Sequence, residues 1–265
     1  MKKNKKLKNF YEKVYIKGEK KHFTTTRNSS STDEIKEVLA QINWKSKKVL
    51  DVGCGTGFLD FQIAKKGGKV LGIDYSNEAI KLAKLQYTHP NLEFKEMGLN
   101  KIKEKFDVII SIGTLEHMDN PLLTLKFFKN RLNPRGKIII TSPNWTNPRG
   151  YVLLTLWYLF DAPITLADLH YQTPMDFMKY AKKLNLNLKW KTMNQSWAHG
   201  ETMLKDFQQR LPKVLEASKL QNDPKKIKSF IKWLNENVLP FDNSLPQSGA
   251  IGLYIFSKKK NLKNS

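Results

Sequence analysis

The run Val49-Leu50-Asp51-Val52-Gly53-Cys54-Gly55-Thr56-Gly57 constrains this chain more than any other. It begins as a short apolar run after Lys47 and Lys48, the pattern of a strand buried in a parallel sheet. It ends in three glycines at alternate positions, followed by the helical run Phe58-Leu59-Asp60-Phe61-Gln62-Ile63-Ala64. Strand, glycine turn and helix in that order open a nucleotide-binding α/β fold. Glycine suits the turn because it is tight and because a ligand must approach bare backbone there. The dinucleotide fingerprint is G-x-G-x-x-G. Gly53, Gly55 and Gly57 give G-x-G-x-G instead, with Asp51 two residues ahead. Taken alone, that spacing also suits a turn that binds nothing.

The rest of the chain supplies the context. Residues 9–31 read as irregular and aromatic, with Tyr11, Tyr15, His22 and Arg27 forming either a lid or a loosely packed arm. Ser31-x-x-Glu34 reads as a capping box, and Ile35, Val38, Leu39 and Ile42 follow at helical spacing. Residues 69–74 read as a second buried strand, and Ser76 as the N-cap of a helix over 77–87. Strands follow at 91–96 and 106–111, then a helix over 121–131, a turn over 132–136 and a strand over 137–142. Strands alternating with helices over 48–142 predict an α/β fold with a parallel sheet. The alternation breaks at 143–172, a long connection whose apolar stretch 151–160 is too short to span a membrane. Thr173 and Pro174 start a helix to 184, and 186–193 is a sixth strand. A helical insertion over about 201–238, broken near Pro212 and Pro224, precedes the last strand at 250–257.

Composition narrows the function classes. Cys54 is the only cysteine, so an intrachain disulfide and a cysteine zinc site are both excluded. No run approaches the length of a membrane span, and the basic N-terminus has no apolar stretch behind it, so the expected location is cytoplasmic. The formal charge is +22, nearly all from lysine. Nucleic acid is one partner for such a surface. A lysine-rich, solvated surface is the preferred reading, because no nucleic-acid module is visible. The runs Lys2 to Lys8 and Lys258 to Lys263 read as flexible tails.

Asp74 ends the second strand, 21 residues after Gly53. An acid at that place can accept both hydroxyls of a ribose; a helix N-terminal acid is the plainer role. With the glycine turn, Asp74, the segment Phe106-Asp107-Val108-Ile109-Ile110-Ser111-Ile112-Gly113-Thr114-Leu115-Glu116-His117 and Leu132-Asn133-Pro134-Arg135-Gly136-Lys137, the chain resembles class I S-adenosylmethionine (SAM)-dependent methyltransferases. Within them it is similar to the type 11 group, which includes ubiquinone-biosynthesis O-methyltransferases. Leu115-Glu116-His117 with Asp119-Asn120-Pro121 carries that narrower likeness.

The resemblance implies a Rossmann-like seven-stranded sheet of order 3-2-1-4-5-7-6, with the last strand antiparallel and a helical cap. It implies SAM as cofactor. Gly53, Cys54, Gly55 and Gly57 would line its methionine and ribose side, Asp51 its amino group and Asp74 its ribose. Met97 and Gly98 would flank the adenine, with Gly98 where relatives carry an acid, and Ser111 and Ile112 would approach the methionine end. Glu116 and His117 are the catalytic candidates, His117 as general base. In ubiquinone-type relatives this segment can hold a divalent metal. Gly113 replaces the first glutamate of that set, so no metal is assigned. Trp145, His170 and Tyr171 are the acceptor-side candidates. The expected division is an arm or lid at 1–31, a catalytic domain at 32–257 with cap insertions at 143–172 and 194–248, and a basic tail at 258–265. The expected reaction is methyl transfer from SAM to the oxygen of a small, partly apolar acceptor. An RNA methyltransferase and a non-catalytic SAM-binding subunit are the alternatives, and the oligomeric state is left open.

Overall fold

The computed structural model describes residues 2–16, 30–165, 168–193, 195–243 and 245–259. Its first half runs α1 (Lys2–Ile16), α2 (Ser30–Leu39), β1 (Lys48–Val52), α3 (Phe58–Lys65), β2 (Lys69–Asp74), α4 (Asn77–Gln86), β3 (Leu92–Glu96), β4 (Phe106–Ile112) and α5 (Pro121–Arg131). Its second half runs β5 (Leu132–Pro143), α6 (Pro148–Phe160), α7 (Pro174–Lys183), β6 (Leu186–Met193), α8 (Gln195–Ala198), α9 (Gly200–Ala217), α10 (Pro224–Asn237) and β7 (Ile251–Lys258).

The strands form one seven-stranded sheet in the order β3-β2-β1-β4-β5-β7-β6, as the resemblance implied. β7 runs antiparallel to both β5 and β6, and the other pairs are parallel. Alternation along the strands divides the core in two. Leu50, Ile109, Ile138 and Tyr254 meet α5 and α7 on one face. Val49, Val108, Ile139 and Leu253 meet α2 and α3 on the other. Each fully buried aliphatic side chain contributes roughly 1.5–3 kcal/mol, so both faces must be covered for the sheet to persist.

A separate apolar cluster joins α6, α9 and α10 through Leu153, Phe207, Leu211, Val214, Ile227 and Ile231. The Asp206 carboxylate pins α6 to α9, accepting from Arg149 Nε at 3.0 Å and from Arg210 Nε at 2.9 Å. Burial would raise that carboxyl, but the two guanidiniums outweigh it and hold it below the ordinary range.

Several sequence expectations give way here. Residues 9–16 are not irregular, and the lysine run is not a tail: both lie in α1, and Lys8 pairs with Glu96 at 3.0 Å. Phe10, Tyr11, Val14 and Tyr15 have the helical spacing that the charged residues obscured. His22 and Arg27 fall outside the described residues. α2 already begins at Ser30, which puts Ser31 inside the helix and not at its cap. Residues 132–136 are not a turn but the start of β5, where Phe106 pairs with Leu132 and Val108 with Lys137. The extra residues bulge, and Asn133 donates to Asp107 at 2.8 Å across the gap. α9 runs through Pro212 unbroken, held by Phe207, Leu211 and Val214 on either side, whereas Pro224 does start a new helix. Lys258 belongs to β7, with its ammonium on the Leu132 carbonyl at 2.7 Å.

Candidate active site

Because β2, β1 and β4 are parallel neighbours, their carboxyl ends meet at one edge of the sheet, where an open α/β fold places its crevice. A cavity of about 670 Å³ lies there. Gly53 and Gly55 form one wall, Asp74, Met97 and Gly98 a second, and Ile112 to Thr114 with His117 a third. Lys8, Tyr11 and Tyr15 of α1 close the remaining side.

The glycine turn is shaped from below. Gly57 has φ +79°, and a Cβ there would run into the Phe94 ring. Gly55, at φ +53°, meets only the Tyr15 hydroxyl, 3.1 Å from where a Cβ would stand. The turn therefore presents bare backbone to the cavity. Asp74 fixes it: its two carboxylate oxygens accept from Gly55 N at 3.1 Å and Ser76 N at 2.8 Å. Burial raises the Asp74 carboxyl, against the pull of those amides. A carboxylate has about four acceptor sites, so two amides leave room for further donors.

The other end of the cavity is polar. After β4, Leu115–His117 makes a single 3-10 turn. The Glu116 carbonyl accepts from Leu169 N at 3.0 Å and His170 N at 3.2 Å, and His170 Nε2 donates to the Met118 carbonyl at 2.9 Å. This clasp brings Asp168 to His117, with Oδ1 3.4 Å from Nδ1. On the opposite ring edge the Tyr11 hydroxyl lies 2.8 Å from Nε2. Burial, reinforced by the charge of Asp168, raises the Tyr11 phenol and keeps it a donor. Nε2 then accepts and Nδ1–H faces Asp168, a tautomer assigned from these neighbours. Burial also raises Glu116 well above the usual carboxylate range, and its Oε2 has no hydrogen-bond partner. Glu116, His117 and Asp168 each offer one donor atom within 4.8 Å of the others. Asp168 thus supplies a carboxylate where Gly113 has none. Both ring nitrogens of His117 already face protein groups, so a metal would have to displace one of them.

Of the sequence candidates, Gly53, Gly55, Asp74, Met97, Gly98, Ile112 and His117 share the cavity wall. The others stand behind it. Asp51 is 3% exposed and faces Asp60 beneath the turn. Cys54 packs against the cluster of Ile80, Ala83 and Phe94, and Gly57 abuts the same ring. Ser111 ties β4 to β1 by donating to the Val52 carbonyl at 3.2 Å. Trp145 is buried at 2% exposure, edge-on to Tyr171 at 5.3 Å in the cap, and His170 belongs to the clasp. Sequence reasoning missed Asp168 and Thr114. It named Tyr11 only as part of a lid.

Comparison with known proteins places this architecture. A family model described as "Methyltransferase domain" matches residues 43–228. A ubiquinone biosynthesis O-methyltransferase of Aeromonas salmonicida is 28% identical over 42% of this chain and 48% of its own length. One from Dechloromonas aromatica is 27% identical over 55% of this chain and 66% of its own length. The chain thus spans from about half to two thirds of the length of these curated relatives. Among solved structures, a putative SAM-dependent methyltransferase from Listeria monocytogenes superposes with a TM-score of 0.54 at 15% identity, covering 86% of this chain and 97% of that one, a likeness of fold. The glycine turn, the sheet order and the family match together show that the chain belongs to the class I SAM-dependent methyltransferases, with SAM as its cofactor.

Proposed function

We propose that the protein transfers a methyl group from SAM to an oxygen of a small-molecule acceptor with an apolar part. The observation that supports it best is one hydrogen bond: His117 Nε2 already takes a phenolic hydroxyl, that of Tyr11, on the wall of the cavity. An acceptor hydroxyl fits the same seat. The residues fit the cofactor as well. Gly55 offers bare backbone, Asp74 keeps acceptor capacity for ribose hydroxyls, and Met97, Leu99 and Ile112 supply apolar surface for a base and a methionine chain. The O-methyltransferase names of the curated relatives favour oxygen as the acceptor atom.

Bound SAM supplies an electrophilic methyl on a sulfonium, open to in-line attack. The protein's part is placement and proton transfer. Asp74 and the glycine turn hold the nucleoside, and Ile112 and Thr114 border the place where the acceptor approaches. When an acceptor hydroxyl replaces that of Tyr11, His117 Nε2 takes its proton. Asp168 at Nδ1 stabilises the imidazolium and keeps the ring oriented. In this reading α1, within the segment 1–31, covers the cavity, and the insertions 143–172 and 194–248 form the acceptor-side cap of the domain 32–257.

Incubation with methyl-labelled SAM and separate small-molecule, lipid and RNA extracts tests the reading. Label in an ether of a small-molecule or lipid-soluble acceptor is expected. Label confined to RNA would overturn it, as would SAM binding with no turnover on any extract.

A further inference from the structure

The end of the cavity remote from His117 closes on the segment that follows β3. In the order β3-β2-β1-β4, Asp74 at the end of β2 stands between that segment and the glycine turn of β1, with His117 beyond β4. A SAM molecule with its ribose at Asp74 and its methyl toward His117 therefore turns its adenine to the β3 side. Met97, Gly98 and Leu99 line the cavity there. Met97 N donates to the Asp74 carbonyl at 3.0 Å, which ties the segment to β2. Met97 and Leu99 offer apolar surface to the faces of a purine, while glycine at 98 has no side chain to offer its polar edge.

The side chain that reaches that place belongs to Asn100. Gly98 has an extended backbone, φ −87° and ψ 158°, so its conformation does not call for glycine. The 3-10 turn Leu99–Lys101 folds the chain back over it, with Lys101 N donating to the Gly98 carbonyl at 3.1 Å and the buried Ile102 anchoring the far side. A Cβ built on Gly98 would lie 3.1 Å from Asn100 Oδ1. Asn100 thus fills the space that a side chain at 98 would take, at the edge of the cavity. Among the described residues, none forms a hydrogen bond with the Asn100 amide. The acids of β3 are engaged elsewhere. Glu96 holds Lys8 Nζ at 3.0 Å and Asn77 Nδ2 at 2.9 Å, and Glu93 pairs with Lys95 at 2.7 Å.

We propose that the side-chain amide of Asn100 reads the adenine edge of SAM, and that this neutral group sets the selectivity for the base. The contact rests on the placement of the ribose at Asp74 and leaves the acceptor end untouched. An amide both accepts and donates. It can accept from the six-amino group of adenine and donate to the neighbouring ring nitrogen, N1. Rotated by half a turn, the same amide meets hypoxanthine, whose six position is a carbonyl and whose N1 carries hydrogen. A carboxylate only accepts, so at the same place it would oppose that carbonyl. The chain therefore tolerates a deaminated base that an acid at position 100 would reject.

The test is calorimetric titration of the full chain with S-adenosylhomocysteine, the demethylated form of SAM, and with S-inosylhomocysteine, its deaminated counterpart. The unmodified chain should bind the two within about fivefold of each other, since the amide pairs with either base. Asn100→Ala should weaken S-adenosylhomocysteine about fivefold, the loss of neutral hydrogen bonding. Asn100→Asp should keep S-adenosylhomocysteine and bind the inosyl compound about tenfold or more weakly than that, because its carbonyl is left unpaired against a carboxylate. Asn100 is exposed, so both variants should keep the melting temperature of the unmodified chain. Unchanged affinity for S-adenosylhomocysteine in Asn100→Ala would overturn the proposal. So would a base preference that is the same in Asn100→Asp as in the unmodified chain. Asp74→Ala, titrated alongside, should weaken both ligands alike. Intact affinity there would overturn the ribose placement and this proposal together, whereas loss there with Asn100→Ala unaltered would overturn the reading of the base alone.

Discussion

Among the described residues two histidine–aspartate pairs invite comparison, and one of them, His117 with Asp168, borders the cavity at the strand ends. At the strand ends, His117 faces Asp168 at 3.4 Å and the Tyr11 hydroxyl at 2.8 Å. In the cap, His199 Nδ1 lies 2.6 Å from Asp242 and Nε2 lies 2.9 Å from the Ser248 hydroxyl. By residue type and distance the second resembles a nucleophile–base–acid array more closely than the first. Yet its members are buried, His199 at 7% and Ser248 at 6% exposure. Ser248 is also engaged with Leu245, accepting from its N–H and donating to its carbonyl at 2.9 Å. Asp242 likewise accepts from Gly200 N at 3.1 Å, at the start of α9. That array fastens a helix terminus to the segment leading into β7. Under the proposed function, access to a cavity wall, and not the chemical identity of the groups, would set the His117 pair apart from the buried His199 pair.

The comparison can be broken by substitution. His117→Gln should lower methyl transfer about 10²–10³-fold, the range of a general base, while SAM affinity and melting temperature stay near those of the unmodified chain. His199→Gln should do the reverse, leaving the transfer rate of the folded protein intact and lowering the melting temperature by several degrees. Calorimetric SAM titration, thermal melts and initial rates on one set of preparations separate the two. Equal losses of transfer would erase the distinction. Asp74→Ala removes a charged acceptor, worth about 1.5–3 kcal/mol per hydrogen bond. With two ribose hydroxyls it should weaken SAM binding about hundredfold, and unchanged affinity would refute the assigned role. Asp168→Asn should cost about tenfold in kcat, with little change in the acceptor KM, because it acts through His117.

How much of this was legible in the chain depended on distance along it. The strand 48–52, the glycine turn and Ser76 as a cap are local patterns, and Ser76 Oγ does accept from Ala79 N at 3.2 Å. Asp168 was not legible, because its partner lies 51 residues earlier and only the clasp onto Glu116 brings them together. The bulge at 132–136 was misread because Asn-Pro-Arg-Gly is turn chemistry wherever it falls. α1 was hidden by lysines that lower its apolar average without disturbing its period.

The smallest expected effect sharpens the view of the turn's underside. Asp60 is fully buried facing Asp51, and burial together with the Asp51 charge pushes its carboxyl far up. A carboxyl whose folded value lies above its unfolded one binds more protons when folded. Its contribution to stability therefore falls as pH rises above the unfolded value, toward the folded one. Asp60→Asn should raise the melting temperature by about 2–4 °C at neutral pH, and the gain should vanish near pH 4, read by thermal melts across that range.

The central claim is that SAM sits against the glycine turn, with its methyl directed to His117. Ultraviolet cross-linking of methyl-labelled SAM to the full chain, followed by peptide sequencing, tests it directly. Label should appear in peptides spanning residues 49–75 or 95–118 and disappear in Asp74→Ala. Label in the cap, between residues 195 and 243, would contradict it.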